Sequence, residues 1–384
     1  MSLSHGDAIA HDARRHSSPV ISKLLLLGLT RDAARHAATL HLRDGAGVAA
    51  AVHRAAHRTG RFEPEQHGLG PRGIAAWRET FELSDARIDR VHGEDIDDVA
   101  KAIVRLHDGL EVETVRIPMG DRGESQCLSS QVGCAMGCRF CETGLLGRLR
   151  DLRADEIVAQ VVLARRELGW RPRNLVFQGM GEPLDALDSV VDAIDILTDR
   201  NGLSFARDRI TVCTAGHVDG IRRLFANDVG RLNLSLSLTV ADETRRAELM
   251  PIARRWSLAE LQGALVEVRP RGNWQLGVHV CLMPDINDSR DDARAIARFC
   301  APLGRVMVHL IPYNPGSEPL SRAPTEPEIE RMVGWLRDEG LPVRRRITKG
   351  RDLKAACGQL GNLALRRPRR TRGKVFPDQD SNLD

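Results

Sequence analysis

The sequence predicts an α/β fold, a parallel sheet or partial barrel behind a small helical domain, on three observations. From Cys127 onward, short β-rich runs alternate with amphipathic stretches. Up to Asp97 the chain is rich in Ala, Leu and Arg and shows no strand-like alternation. No apolar run approaches the roughly 20 residues of a membrane span; the longest near the start, Leu24 to Leu29, contains Gly28.

Taken in order, residues 10–42 and 48–58 read as helices, and the Gly- and Pro-containing stretch 60–73 reads as a loop before a short helix at 74–83. Residues 127–132 read as a first strand. Helical segments at 154–168 and 187–198 and strand candidates at 174–178, 209–214, 232–238, 276–283 and 306–311 follow. Six strands in βα rhythm imply a partial (β/α)6 barrel, whose chemistry belongs at the strand C-termini. The expected units are a helical accessory domain at 1–97, a linker and entry segment at 98–126, a core at 127–360 and a basic tail at 361–384.

The composition supports an ordinary globular protein. The 384 residues suffice for two or three domains. With 42% hydrophobic and 28% charged residues, global disorder is excluded. The first ten residues lack a cationic segment followed by an apolar one, so a cytoplasmic protein with reduced cysteines and no membrane contact is expected. The formal charge of +4 is unevenly spread: residues 344–374 hold twelve Lys and Arg against Asp352 alone. Such a run fits a polyanion partner, with a solvated tail as the plain alternative.

The strongest chemical signal follows the first strand. Cys134, Cys138 and Cys141 form C-A-M-G-C-R-F-C on a loop with two glycines. Three thiols in so short a loop can surround one inorganic centre and leave a coordination position open, whereas closed structural sites use four ligands. A zinc site completed by Cys127 or a distant His is the competing reading, although no second cysteine pair accompanies the loop.

The C-x3-C-x2-C spacing with Phe140 before the last cysteine resembles the radical S-adenosylmethionine (SAM) signature. Gly179-Met180-Gly181-Glu182-Pro183 resembles that superfamily's SAM-binding stretch. Three further segments resemble the RlmN/Cfr family of RNA methyltransferases: Cys127-Leu-Ser-Ser-Gln-Val-Gly-Cys134, Lys349-Gly-Arg-Asp-Leu-Lys-Ala-Ala-Cys357-Gly-Gln-Leu, and Glu113-Thr-Val-Arg-Ile-Pro118.

The resemblance implies a [4Fe–4S] cluster on Cys134, Cys138 and Cys141 and two SAM molecules per turnover. Cys357 would carry a methyl group taken from the first SAM, its thiolate favoured by the flanking cations. A radical made from the second SAM would activate that methyl, because C2 and C8 of adenine are not nucleophiles. Glu113 would remove the ring proton, and Cys127 would free the product by forming a disulfide with Cys357. SAM contacts are implied at Gly181, Glu182, Cys213, Ser237, Leu238, Thr239 and Asn314. This sequence departs from the family in three places: Thr239 stands for a His, Cys213 for a Ser, and Glu142 for a small residue.

Other candidates read as structural. Cys281 and Cys300 fall in strand-like or helical runs and are expected in the core, a setting that also suits Cys213. His53 and His57, four apart on a helix, read as a solvated or RNA-facing pair rather than a metal site. The expected activity is methylation of adenosine C2 in large-subunit ribosomal RNA, with transfer RNA as a further substrate and a flavodoxin or ferredoxin as reductant of a monomeric enzyme. The alternatives are C8 methylation by the same chemistry, a non-catalytic zinc-containing RNA-binding protein, and a radical-SAM enzyme acting on another substrate.

Overall fold

The computed structural model describes residues 23–93, 99–227, 230–268, 275–347, 350 and 353–361. The start of the expected 10–42 helix, the 362–384 tail, Lys349, Arg351 and Asp352 lie outside them.

Two short parallel strands, β1 (Leu24–Leu25) and β2 (Phe81–Glu82), bracket helices α1 (Arg31–His41), α2 (Ala49–Thr59) and α3 (Pro71–Thr80). Thr30 caps α1 by accepting from the Ala33 amide, and Gly60 ends α2 in the left-handed conformation. The apolar faces close over Trp77, which is fully buried and stacks on Phe81 at 4.7 Å between ring centroids. Leu27 joins the main core, so the helical unit packs directly on the barrel. Polar contacts reinforce the junction: the Arg31 amide donates to Asp199, and the Arg58 guanidinium donates to the Gly202 carbonyl.

The expected solvated helix bearing His53 and His57 is corrected here, because both rings are buried at this junction. They lie 4.0 Å apart between centroids and bond to the Leu29 and His53 carbonyls. Burial, and then the neighbouring His53, push the His57 pKa from 6.5 down to about 4. A neutral His57 therefore contributes its full stabilisation above pH 6.5, and this is lost as pH falls from 6.5 through 4, where the unfolded chain binds the proton more readily. The swing is worth about 3 kcal/mol. The melting temperature of the metal-free protein should drop over that interval, and in His57→Phe the drop should be smaller.

Residues 87–118, expected to belong to the end of the helical accessory domain and to the linker and entry segment, instead form three antiparallel strands: β3 (Arg87–His92), β4 (Ala100–Arg105) and β5 (Glu111–Pro118). Their charges pair across the sheet. Arg105 bonds to both Asp89 and Glu111, and Glu111 also accepts from Arg90. β5 pairs with β6 (Glu124–Leu128), so this extension is continuous with the barrel. The expected first strand is broken: β6 ends at Leu128, and the chain resumes as β7 (Gln131–Val132), which pairs with β8 (Arg150–Asp151) beyond helix α4 (Glu142–Leu146).

The barrel then runs α5 (Ala154–Glu167), β9 (Pro172–Phe177), α6 (Leu187–Thr198), β10 (Ile210–Thr214), α7 (Val218–Ala226), β11 (Asn233–Ser237), α8 (Glu243–Leu249), α9 (Leu258–Glu267), β12 (Leu276–Leu282), α10 (Arg290–Cys300), β13 (Val306–Pro312), α11 (Glu326–Asp338) and β14 (Val343–Arg345). β6 and β9 to β14 are parallel neighbours in that order, so a short β14 extends the six expected strands at the edge. Ser257, Ser289 and Thr325 begin α9, α10 and α11 with capping boxes.

Side chains alternate in the way a partial barrel requires. Leu175, Phe177, Ile210, Val212, Leu234, Leu236, Val278, Val280, Val308 and Leu310 are buried in the main core. The opposite parity lines the lumen and is largely polar, with Asn174, Gln178, Thr211, Asn233, Ser237, His279 and His309 walling two cavities. A packed (β/α)8 barrel fills this space with bulky aliphatic side chains; here it is left for a ligand. No helix among the described residues is long and apolar enough to cross a membrane.

Candidate active site

A cavity of about 160 Å³ at the C-terminal ends of the strands collects the cysteine loop, the Gly-Met-Gly-Glu-Pro turn and Cys357. Among the expected site residues, Cys134, Cys138, Cys141, Gly181, Glu182, Cys213, Ser237, Thr239 and Cys357 line it. Leu238, Asn314, Cys127 and Glu113 do not line it.

The cysteine loop and the turn after β9 are built as one piece. The Ser130 and Gln131 amides donate to the Met180 carbonyl, the Met180 amide donates to Ser129 Oγ, and the Glu182 amide donates to Gln131 Oε1 at 2.9 Å. Gly181 permits this closeness: at φ of 101°, an added Cβ would stand 2.6 Å from that of Gln131. Glu182 is buried, its carboxylate accepting from the Ala215 and Leu184 amides at 2.8 and 3.2 Å. Burial raises its pKa to about 7 against those hydrogen bonds. An ammonium in the cavity would restore its charged form.

Cys134, Cys138 and Cys141 are free thiols, and burial pushes the pKa of each upward. Among the described residues, the metal-type ligands whose donor atoms gather within 4.8 Å of one another are Asp85, His107 and Glu156. Asp85 is paired with Arg153 and Glu156 with Arg150, and Glu156 closes the capping box of α5, so that group is structural. The three loop thiols line one cavity, and three soft thiolate donors on one loop suit an iron–sulfur cluster with an open coordination position.

Arg246, which nothing in the sequence singled out, is fully buried behind this loop. It donates to the Ala215 carbonyl at 2.7 Å and to the Leu238 carbonyl at 3.3 Å. Burial lowers its pKa to about 10, opposed first by the charge of Cys138. Glu243 acts in the same direction after Cys138, and a buried guanidinium needs such anionic neighbours, which a thiolate-bound cluster would supply. Through this contact Leu238 serves the site by its carbonyl.

Thr239, in the family's His position, sits at φ of 59°, an uncommon conformation for a β-branched residue. Its amide donates to the His279 carbonyl and its carbonyl accepts from buried Asn287, which together hold the turn against the cavity. Glu142 also has a structural account. It accepts from the Ser317 amide and hydroxyl, and an added Cβ at Gly316 would fall 2.0 Å from its Oε1.

The loop carrying Cys357 is fastened from several sides. The Gly358 and Leu360 carbonyls accept from the Glu142 amide at 2.8 Å and the Thr143 hydroxyl at 2.6 Å. Asn314 Nδ2 donates to the Cys357 carbonyl at 3.4 Å. Lys101 Nζ donates to the Lys354 carbonyl at 3.1 Å and to Glu113 at 3.4 Å, and Glu113 also accepts from the Gly361 amide. Glu113 is buried, and burial raises its pKa despite Lys101.

Cys357 itself is accessible from the cavity, yet the surrounding protein raises its pKa, with Arg346 opposing. This corrects the expectation that flanking cations dominate. Cys127, on β6, is buried, and burial and then the charge of Cys357 raise its pKa well above the usual thiol range. Cys213 is both buried and a wall residue, whereas Cys281, expected in the core, lines the cavity; Cys300 is core as expected. His279, unforeseen, also lines the cavity.

Comparison with known proteins agrees with this geometry. Residues 128–300 match the Radical SAM superfamily. The chain is 40% identical over 267 residues to a probable dual-specificity RNA methyltransferase RlmN 1 of Protochlamydia amoebophila, covering 70% of this chain and 74% of that one. It is 39% identical to the dual-specificity RNA methyltransferase RlmN of Syntrophotalea carbinolica over 77% of this chain and 80% of that protein. A crystal structure of a radical SAM methyltransferase from Sphaerobacter thermophilus superposes with a TM-score of 0.81 at 32% identity, covering 88% of this chain and 99% of that one. Three thiols and a buried carboxylate around one cavity, together with identity of this extent, make the chain a radical-SAM methyltransferase, and it belongs to the RlmN family of RNA methyltransferases.

Proposed function

We propose that the enzyme methylates C2 of an adenosine in large-subunit ribosomal RNA, with transfer RNA as a second substrate, through an S-methyl group on Cys357. The reading rests on Cys357 being an accessible thiol in the cavity walled by Cys134, Cys138, Cys141 and Glu182. The dual-specificity wording of the relatives supports more than one RNA substrate.

Cys134, Cys138 and Cys141 would hold a [4Fe–4S] cluster, and Glu182, Ser237, Thr239 and the Cys213 wall would hold SAM, two molecules being used per turnover. When bound, cluster and SAM supply hydrogen-atom abstraction from an unactivated C–H bond. The chain's own residues do the rest. Cys357, as thiolate, accepts a methyl group and releases S-adenosylhomocysteine. Glu113, made more basic by burial, removes the ring proton once the methyl carbon is bonded to the base. Cys127, as thiolate, attacks the sulfur of Cys357: the S–S bond forms as the S–C bond breaks, and the methylene carbon leaves with the electron pair and takes up the proton held by Glu113 to become the methyl group.

The unit 127–360 would be the catalytic core and the helices within 1–97 an RNA-contacting domain, in a monomer reduced by a flavodoxin or ferredoxin in the cytoplasm. In Cys127→Ala, the reaction should stop after the first turnover with RNA covalently attached to Cys357, seen as a slow band on a denaturing gel that ribonuclease removes. Continued turnover by this variant without an adduct would reject the mechanism.

A further inference from the structure

Lys101 carries a buried ammonium with two partners. Its side chain is 8% exposed and that of Glu113 is 9% exposed, and the two charged groups lie 3.4 Å apart. The same Nζ donates to the Lys354 carbonyl at 3.1 Å. Lys354 stands three residues before Cys357 at φ of 50°, an uncommon conformation outside glycine, and the bond from Lys101 helps to hold its peptide there. From the other side of Cys357, the Gly361 amide donates to the second Glu113 oxygen at 3.3 Å. The carboxylate is thus tied to both flanks of the segment that presents Cys357, directly at Gly361 and through Lys101 at Lys354.

The strand register explains why these groups meet. Lys101 lies opposite Val115, Ile103 lies opposite Glu113, and Val115 in turn lies opposite Cys127. Side chains alternate along a strand, so Lys101, Glu113 and Cys127 share one face of the sheet. The charged and titratable groups around Glu113, among the described residues, are Lys101 from β4, His92 from β3 and Cys127 from β6; the Cys357 loop meets its carboxylate with the Gly361 amide. Burial raises the Glu113 pKa, and Lys101 is the first charge to oppose this, with His92 after it. A buried charge deprived of its partner is costly, so an ammonium that would keep only the Lys354 carbonyl disfavours protonation of Glu113. The two influences suit a group that takes a proton and later returns it: burial strengthens the base, and Lys101 strengthens the acid that results.

Resting on the S-methyl reading of Cys357, we propose that Lys101 is a positioning residue for this reaction: its charge keeps Glu113 ionised until the ring proton is taken, and its bond to Lys354 keeps that carboxylate in register with Cys357. The proton passes from the ring carbon to Glu113, and from Glu113 to the methylene carbon when the S–C bond breaks. Lys101 remains an ammonium throughout and forms no bond to the substrate. Its effect on the chemistry is exerted through Glu113, and its effect on the thiol through the loop backbone.

The test uses the cluster-loaded full chain and separates charge from structure. Lys101→Gln loses the charge but can still donate to the Lys354 carbonyl, Lys101→Met loses both, and Lys101→Arg keeps the charge. Methylation of Cys357 by SAM, read by mass spectrometry, does not involve Glu113 and should match the parent in Lys101→Gln. Single-turnover RNA methylation by Lys101→Gln should be at least about tenfold below the parent near pH 6 and within about twofold of it near pH 9, because loss of the opposite charge raises the carboxylate pKa and leaves less Glu113 ionised on the acid side. The protein–RNA adduct that awaits proton removal should accumulate at the lower pH. Lys101→Arg should keep the shape of the parent's pH profile, and Lys101→Gln added to Glu113→Gln should alter that profile no further. A variant-to-parent ratio equal at both pH values in Lys101→Gln, or a loss of Cys357 methylation as large as the loss of RNA methylation, would overturn the proposal. Iron content and melting temperature report folding; if Lys101→Gln is unstable, Lys101→Met carries the same comparison of the two pH values, and failure of both to fold would make Lys101 a structural residue and overturn the proposal as well. A parent protein that never acquires a methyl group on Cys357 would instead remove the reading beneath it.

Discussion

Cys357→Ala should abolish methyl transfer to RNA, by at least about 10³-fold, because on the proposed route this residue carries the group being transferred and no neighbouring thiol can replace it geometrically. Cys127 is buried in β6, and Cys213 and Cys281 sit in the strand walls, while Cys357 rides on a loop that presents it to the cavity. Cluster absorbance and SAM binding should persist, since Cys134, Cys138, Cys141 and Glu182 are untouched. The loop is held by backbone carbonyls and by the Gly361 amide rather than by the thiol, so stability should change little. Mass spectrometry of the peptide around Cys357 in the parent protein should show one added methyl group after exposure to SAM. Undiminished RNA methylation by Cys357→Ala would contradict the covalent route.

An equally large loss is expected for Cys138→Ala, for a different reason. Iron content and cluster absorbance after anaerobic reconstitution should fall to background, and SAM cleavage with them, since the remaining two thiols would not retain a cluster that the proposal places on three. A second consequence follows from Arg246. Burial lowers its pKa and the charge of Cys138 is the first to oppose this, so removing that sulfur leaves the guanidinium with its two carbonyl bonds and the weaker influence of Glu243. The variant should therefore gain nothing in stability from metal and reductant, whereas the parent should melt at a higher temperature when loaded. A Cys138→Ala protein with full iron content would show that the cluster lies elsewhere.

The barrel was legible because its outward parity is apolar and regular. The strands expected at 174–178, 209–214, 232–238, 276–283 and 306–311 appear within a few residues of those limits. The break in 127–132 was not, because it depends on Ser129 and Ser130 bonding to Met180 and Gln160 across the fold. β3 to β5 were hidden by their charges: Arg90, Arg105, Asp89 and Glu111 look like surface residues singly and become a cross-strand ladder only when the strands pair. The buried His53 and His57 depended on a domain junction that no local pattern encodes.

At the site, the chemistry that sits in contiguous motifs was readable, from Cys134 to Cys141 and from Gly179 to Pro183. Residues that matter through distant contacts were not. Lys101 and Arg246 take their roles from partners far along the chain, and His279 and Cys281 look like ordinary members of a strand until the lumen shows which parity faces the ligand. Glu113 was located by resemblance, and the structure adds the reason it stays near the reacting loop, its bond from Gly361.

The central claim is a methyl group placed on an adenine ring carbon, and nucleoside mass spectrometry measures it most directly. Cluster-loaded protein, incubated without oxygen with reductant, isotope-labelled SAM and unmodified large-subunit ribosomal RNA, should yield 2-methyladenosine carrying the label after digestion to nucleosides. Label at C8 would contradict the assigned position, and label on a ring nitrogen, on ribose, or nowhere in the RNA would contradict the account as a whole.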